Sequence, residues 1–124
     1  MIGFTLDTGA LIALERRRQR ATALVRLARE DGAALTVPAN VVAEWWRKRT
    51  DLREAILEAV HVEPMSEELG RRVGETLAAV RGSSLVDATV IASAARRGDI
   101  VLTGDVVDFE RLRARFPSVR VLGV

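Results

Sequence analysis

The chain has 124 residues, 48% hydrophobic and 29% charged, with a formal net charge of +2, which is enough apolar material for one core and predicts one domain over residues 1–124. It contains no cysteine, which excludes disulfides and cysteine-based zinc sites. No apolar run reaches the length of a membrane span, and the first residues lack the leading basic region of a secretory signal, so the expected location is the cytoplasm.

Ile2 to Leu6 reads as a short buried strand ending at Asp7, and Thr8 to Leu14 as the start of a helix. Gln19 to Glu30 is helical, with Ala21, Leu24, Val25 and Ala28 on one stripe, and Asp31-Gly32 closes it. Ala34 to Val37 is a second strand. Pro38 suits the first position of the next helix, which is expected to run through Glu44 to about Arg49. Asp51 to Ala59 is another helix, Val60 to Val62 a third strand, and Pro64 stops it. Ser66 to Arg81 is helical, with Glu67 and Glu68 placed to offset the helix dipole. Gly82-Ser83 breaks it, Ser84 to Arg97 forms the next helix, and Gly98 ends that one. Ile100 to Thr103 is a fourth strand, Asp105 to Arg115 a short helix followed by Pro117, and Arg120 to Leu122 a fifth strand. Short strands alternating with helices predict an α/β fold with a parallel sheet covered on both faces.

Asp7 follows the first strand directly, and Asp105 follows the fourth after one glycine. Open parallel sheets bind ligands beyond the carboxyl ends of their strands, so both carboxylates can meet in one crevice. Each also suits a helix N-cap, and both readings stay open. Asp87 shares a helix face with Val90, Ile91 and Ala94, so its carboxylate is expected to point inward, where it must be protonated, paired or metal-bound. A capping arrangement from Ser84 is the other reading. Glu44 lies off the apolar side defined by Val41, Val42, Trp45 and Trp46, so periodicity also permits a solvated glutamate. Asp108, one turn after Asp105, suits an extra ligand, a supporting group or dipole compensation alike. Carboxylates gathered in one crevice repel unless a cation lies among them, and the hard ions Mg²⁺ and Mn²⁺ prefer such oxygens.

Lys48 is the only lysine, so the cations are nearly all arginine, which suits phosphate recognition. GC-rich codon usage would give the same total. The local cluster Arg16, Arg17, Arg18 and Arg20 is a candidate for holding a phosphate-bearing ligand. His61 is the only histidine, which removes histidine-pair catalysis, and no G-x-S-x-G, phosphate loop or dinucleotide fingerprint is present. Trp45 and Trp46 suit packing in a core or dimer interface better than base stacking.

Four segments carry a resemblance to a known family: Phe4-Thr5-Leu6-Asp7-Thr8-Gly9-Ala10-Leu11, Val41-Val42-Ala43-Glu44-Trp45, Leu85-Val86-Asp87-Ala88-Thr89-Val90-Ile91-Ala92, and Leu102-Thr103-Gly104-Asp105-Val106-Val107-Asp108-Phe109. In this order and at these separations they resemble the PIN domain, in particular the VapC-type toxin of a bacterial toxin–antitoxin pair. The resemblance implies a three-layer α/β/α fold with five parallel strands in the order 3-2-1-4-5. It implies a catalytic set of Asp7, Glu44, Asp87 and Asp105 around one or two Mg²⁺ or Mn²⁺ ions, with Asp108 as a further candidate ligand and Thr8 and Thr103 as supporting polar groups. It implies an endoribonuclease that hydrolyses RNA phosphodiester bonds, pairs with a small cognate antitoxin and forms a homodimer. The competing readings are a PIN-fold module that binds or processes RNA without a toxin role, and a non-catalytic signalling domain such as a phosphoacceptor receiver. The receiver needs a lysine near the late strands, where this sequence has none.

Overall fold

A computed structural model of the chain describes residues 2–124; Met1, the first residue of the expected domain, lies outside the described residues. Among the described residues are five strands: β1 (Phe4–Leu6), β2 (Leu35–Pro38), β3 (His61–Glu63), β4 (Ile100–Thr103) and β5 (Val121–Gly123). Seven α-helices accompany them: α1 (Thr8–Glu15), α2 (Gln19–Glu30), α3 (Ala39–Trp45), α4 (Asp51–Glu58), α5 (Glu67–Ala79), α6 (Leu85–Arg97) and α7 (Glu110–Arg115). A 3₁₀ turn, Val106–Phe109, precedes α7.

The strands pair in parallel in the order β3-β2-β1-β4-β5, as the resemblance implies. Leu6, Val37, Val101 and Leu102 on the three central strands are almost wholly buried, whereas His61 and Val62 on the edge strand β3 are exposed. Parallel central strands covered on both faces need such continuous apolar runs. The connections from β1 to β2 and from β2 to β3 step one way across the sheet, and those into β4 and β5 step the other way. With right-handed crossovers this puts α1–α4 on one face and α5–α7 on the other. Most helix packing follows this division: α1 meets α2, α3 and α4, while α6 meets α5 and α7, with α3 also reaching α6.

Helix ends follow local chemistry. Thr50, Ser66 and Ser84 cap α4, α5 and α6, each side-chain oxygen accepting a backbone N–H from three residues on. Gly98 ends α6 in the left-handed conformation at φ 74°, where a glycine carries no Cβ penalty. Several ends shift by one or two residues, and the helix expected over Asp105 to Arg115 divides into the 3₁₀ turn and α7. Two further differences have a local cause. Pro38 closes β2 instead of opening α3 as its first helical residue. The helix stops at Trp45 rather than Arg49, because Trp46 turns extended and Arg53 donates to the Lys48 carbonyl at 2.8 Å, holding residues 46–50 in a turn.

A buried ionic network fastens α6 to the sheet. Glu63 accepts from the Arg97 guanidinium and from Ser93 Oγ (2.8 Å), and Asp99 accepts from Arg97 Nε and Thr5 Oγ1 (both 2.9 Å). Thr5, Glu63, Ser93 and Asp99 are all buried, and the partly exposed Arg97 and Arg96, the latter 3.3 Å from Glu63, supply two positive charges for the two carboxylates. No described helix is long and apolar enough to cross a membrane.

Candidate active site

Because β1 and β4 are neighbours whose onward connections leave in opposite directions, a crevice opens beyond their carboxyl ends. Asp7 stands at the end of β1 and Asp105 just beyond β4. Each caps the helical segment after it: Asp7 Oδ1 accepts the Ala10 N–H at 2.8 Å and Asp105 Oδ1 the Val107 N–H at 3.0 Å. Capping and a place in the crevice therefore coexist, the cap fixing each carboxylate's direction. Thr103 joins the two. Its hydroxyl donates a short hydrogen bond to Asp7 Oδ2 and accepts the Asp105 N–H at 3.0 Å.

Helices supply the rest. Ser84 Oγ accepts the Asp87 N–H at 3.0 Å, which starts α6 with the Asp87 side chain turned toward the crevice. Glu44 enters from the last turn of α3. One turn earlier on α3, Asn40 Nδ2 donates 2.8 Å to Thr89 Oγ1, tying the helix that carries Glu44 to the helix that carries Asp87.

Together Asp7, Thr8, Glu44, Asp87, Asp105 and Asp108 line one cleft of about 370 Å³, and Arg18 is the one cationic side chain among its described lining residues. Asp7 is buried and Asp87 half-buried, while Glu44, Asp105 and Asp108 are exposed at the rim. Electrostatics reflect the crowding. Burial pushes the Asp7 carboxyl above its ordinary range and Asp108 adds to this, against the hydrogen bonds from Thr103, Ala10 and Gly104. Burial first, then the charge of Asp7, pushes the Asp87 carboxyl up to about 6; Asp108 and Glu44 add to the rise, and the Ser84 hydroxyl opposes it. The ring is open, since among the described residues no three acidic or imidazole side chains form a ready-made metal cage.

Three buried side-chain atoms lack a hydrogen-bond partner among the described residues: Thr8 Oγ1, Asn40 Oδ1 and Arg53 Nε. They lie on α1, α3 and α4 respectively. Thr8 is also one of the residues that line the cleft, and its buried hydroxyl oxygen is left without a partner there.

The four clustered arginines fan out. Arg18 lines the acidic cleft, and Arg20 Nε donates 2.7 Å to the Gly123 carbonyl. Arg17, at φ 54°, turns into a separate groove. Arg16 turns into a second cleft beside Glu44. Trp45 is buried, with its indole N–H donating 3.0 Å to Glu15 and its ring edge-on to Trp46 at 6.0 Å, so the tryptophan pair packs rather than stacks on bases. His61 lies exposed on the edge strand, away from the carboxylates.

A larger groove, about 780 Å³, lies between α2, α4 and the end of α1. Its walls are mostly aliphatic and contain no carboxylate, so size alone does not locate the chemistry. Sequence reasoning found the acidic residues but missed what holds them, the Gly9–Gly104 backbone contact and the Asn40–Thr89 tie, and missed Arg47, which lines a cleft together with Glu44. The glycines stood in the D-T-G and T-G-D segments, and that recurrence was the only signal.

A family model described as the PIN domain matches residues 4–114. A search among curated proteins finds no match. Solved structures of similar shape include VapBC2 from Rickettsia felis bound to a fragment of its promoter DNA, at TM-score 0.76 and 14% identity, covering 100% of this chain and 99% of that one. DNA-bound VapBC from Salmonella typhimurium aligns at TM-score 0.74 and 14% identity, covering 99% and 98%. VapC20 from Mycobacterium tuberculosis, a toxin that cleaves the sarcin–ricin loop, aligns at TM-score 0.67 and 23% identity, covering 95% and 99%. These likenesses concern the fold.

Proposed function

Because the chain belongs to the PIN-domain family, we propose that it is a divalent-metal-dependent endoribonuclease and the toxin of a bacterial toxin–antitoxin pair, acting as one catalytic domain over residues 1–124 in the cytoplasm. The observation that carries the reading is the ring of five carboxylates around one cleft, opposed by a single arginine. An uncompensated ring of this kind has a physical reason to exist if a cation completes it.

The donors fit a hard divalent ion. They are carboxylate oxygens, with the unpartnered Thr8 hydroxyl beside them as a supporting polar group, and the raised Asp87 carboxyl has no cationic partner to relieve it. Asp7 and Asp87 would hold Mg²⁺ or Mn²⁺ directly, and Glu44 and Asp105 directly or through water, with Asp108 as an additional candidate. Bound there, the ion would offset charge on the phosphodiester and acidify a water.

The chain's own residues do the positioning. Thr103 and the Ala10 N–H hold Asp7 with both oxygens engaged, so it need not reorganise on binding. The Asn40–Thr89 tie fixes the spacing of Glu44 and Asp87. Arg18 offers a guanidinium to a phosphate oxygen at the cleft wall. Attack by water, rather than by the neighbouring 2′-hydroxyl, leaves a 5′-phosphate and a 3′-hydroxyl.

A small cognate antitoxin and a second copy of the chain are the expected partners, in keeping with the VapBC assemblies of similar fold. The test is RNA hydrolysis by the purified chain with Mg²⁺ or Mn²⁺, its arrest by EDTA, and the chemistry of the new ends. Expression in cells, with and without Asp7→Ala, tests toxicity. Cleavage that survives EDTA, or 2′,3′-cyclic phosphate ends, would overturn the mechanism. Binding without cleavage would favour a non-catalytic RNA-binding module.

A further inference from the structure

Beside the acidic cleft lies a second one, of about 450 Å³, whose lining includes Arg16, Arg47 and Arg53. The two clefts share Thr8, Ile12 and Glu44, so the second opens directly from the first across the rim of α1 and α3. The shared rim means that a chain leaving the carboxylates on this side runs into the arginines.

The charges in the second cleft are not all available. Glu15 Oε2 pairs with Arg53 at 2.9 Å, and Glu15 Oε1 accepts from the Trp45 indole at 3.0 Å. Arg53 also donates to the Lys48 carbonyl at 2.8 Å, and its guanidinium sits 6.0 Å from the centre of the Trp45 ring. Glu15, Arg53 and Trp45 therefore form a floor in which the one negative charge is paired with the one positive charge. Arg16 and Arg47 stand exposed above it, and among the described residues neither pairs with a carboxylate. The result is a cleft with two exposed, unpaired guanidinium groups, joined to the cleft of carboxylates along a rim that carries Glu44. The paired floor keeps Glu15 from cancelling those two charges.

The geometry points to a phosphate-backbone subsite for single-stranded RNA, formed by Arg16 and Arg47 and continuous with the acidic cleft over Thr8, Ile12 and Glu44. This rests on the nuclease reading and goes beyond it by choosing one side of the cleft for the RNA path. It separates Arg16 from its neighbours in sequence. Arg17 faces the aliphatic groove and Arg20 is tied to Gly123, so only part of the basic cluster serves the substrate. It also adds Arg47, which sits in the turn after α3 only because that helix stops at Trp45. Arginine suits the task because its fork meets two phosphate oxygens without reading the base.

The test uses a fluorescein-labelled 12-nucleotide single-stranded RNA and fluorescence anisotropy in EDTA across a series of KCl concentrations. The proteins are the unaltered chain, Arg16→Ala, Arg47→Ala, Arg47→Lys and, as control, Arg71→Ala on the remote helix α5. Each arginine that neutralises a phosphate should contribute about 0.7 to the slope of log affinity against log salt. Arg16→Ala and Arg47→Ala should each lower the slope by about that amount and weaken binding roughly 3- to 10-fold at low salt. Arg47→Lys should keep most of the slope, and Arg71→Ala should match the unaltered chain. Both residues are exposed and unpaired, so melting temperatures should not move.

If Arg16→Ala and Arg47→Ala bind like Arg71→Ala while the unaltered chain cleaves RNA with Mg²⁺, the subsite is wrong and the nuclease reading stands. No cleavage with either metal sinks the nuclease reading and the subsite with it. If poly-glutamate, and not RNA, loses affinity in the two variants, the cleft serves an acidic protein partner and the RNA assignment fails.

Discussion

Gly9 and Gly104 face each other with no room between them: a Cβ on Gly104 would stand 2.9 Å from the Gly9 Cα, and one on Gly9 2.8 Å from the Gly104 Cα. The obstacle is backbone on both sides, so no side-chain rotation relieves it. This contact sets the first turn of α1 against the loop leaving β4, and those two segments carry Asp7 and Asp105. Gly104→Ala should cost about 1–3 kcal/mol, as overpacking does. Its activity, assayed well below its melting temperature, should fall further than that loss explains, because relief requires moving the two aspartates apart. A variant with unchanged melting and unchanged cleavage would show that the contact does not set the site.

Thr103 occupies both ends of a relay, donating to Asp7 and accepting from the Asp105 N–H. Thr103→Val keeps the shape and removes the hydroxyl, leaving Asp7 Oδ2 without its donor. Groups that orient a metal-binding carboxylate are typically worth about 10- to 100-fold in activity or metal affinity. We expect a loss in that range for Thr103→Val, a raised Mg²⁺ concentration for half-maximal rate, and recovery of most activity in Thr103→Ser. Equal rates for the valine and serine variants would sink the relay.

The parts legible in the sequence were those carried by local pattern. Alternation of short apolar runs and amphipathic stretches located all the strands and helices. The apolar partners of Asp87 on α6 pointed that carboxylate inward, and it does line the cleft. Glu44 was ambiguous because its helix face is exposed, and only the fold brings it to Asp7 and Asp87. The arginine cluster looked like one patch because its members are adjacent in sequence. It scatters because α1 ends there, and the turn at Arg17 sends successive side chains in different directions. The ionic network was invisible for a different reason: Glu63 and Arg97 are 34 residues apart, and nothing in either local pattern marks a partner.

That network yields a stability prediction independent of catalysis. Arg97 sits between the carboxylates of Glu63 and Asp99, whose side chains are only 8% and 5% exposed. Arg97→Met would leave those two buried carboxylates with Arg96, 3.3 Å from Glu63, as the remaining cation. Removing one partner from a buried ionic set costs about 3–5 kcal/mol, and the partial exposure of Arg97 puts the expectation near about 3 kcal/mol. Urea denaturation of the metal-free chain measures it. A change below about 1 kcal/mol would mean that solvent screens the network as it screens surface pairs.

The raised Asp87 carboxyl makes the metal-free chain sensitive to pH in a direction that can be worked out. Its folded value, about 6, lies above the ordinary 3.8, so the folded state binds the proton more tightly than the unfolded state. The associated stability is fully present below about 4 and is lost as pH rises through about 6. Above that, the ionised Asp87 is pressed against Asp7 with burial opposing both charges. Asp87→Asn removes the charge while keeping the shape. In EDTA at pH 8 it should melt higher than the unaltered chain by a few degrees, on the order of 1 kcal/mol once screening at a half-buried group is allowed for. At pH 4 the two should melt together. Added Mg²⁺ should reverse the order at pH 8 by stabilising the unaltered chain more than the variant, because a ligand raises the stability of the form that binds it. An Asp87→Asn chain that melts lower in EDTA at pH 8, or gains as much from Mg²⁺ as the unaltered chain, would show that Asp87 is an ordinary structural carboxylate.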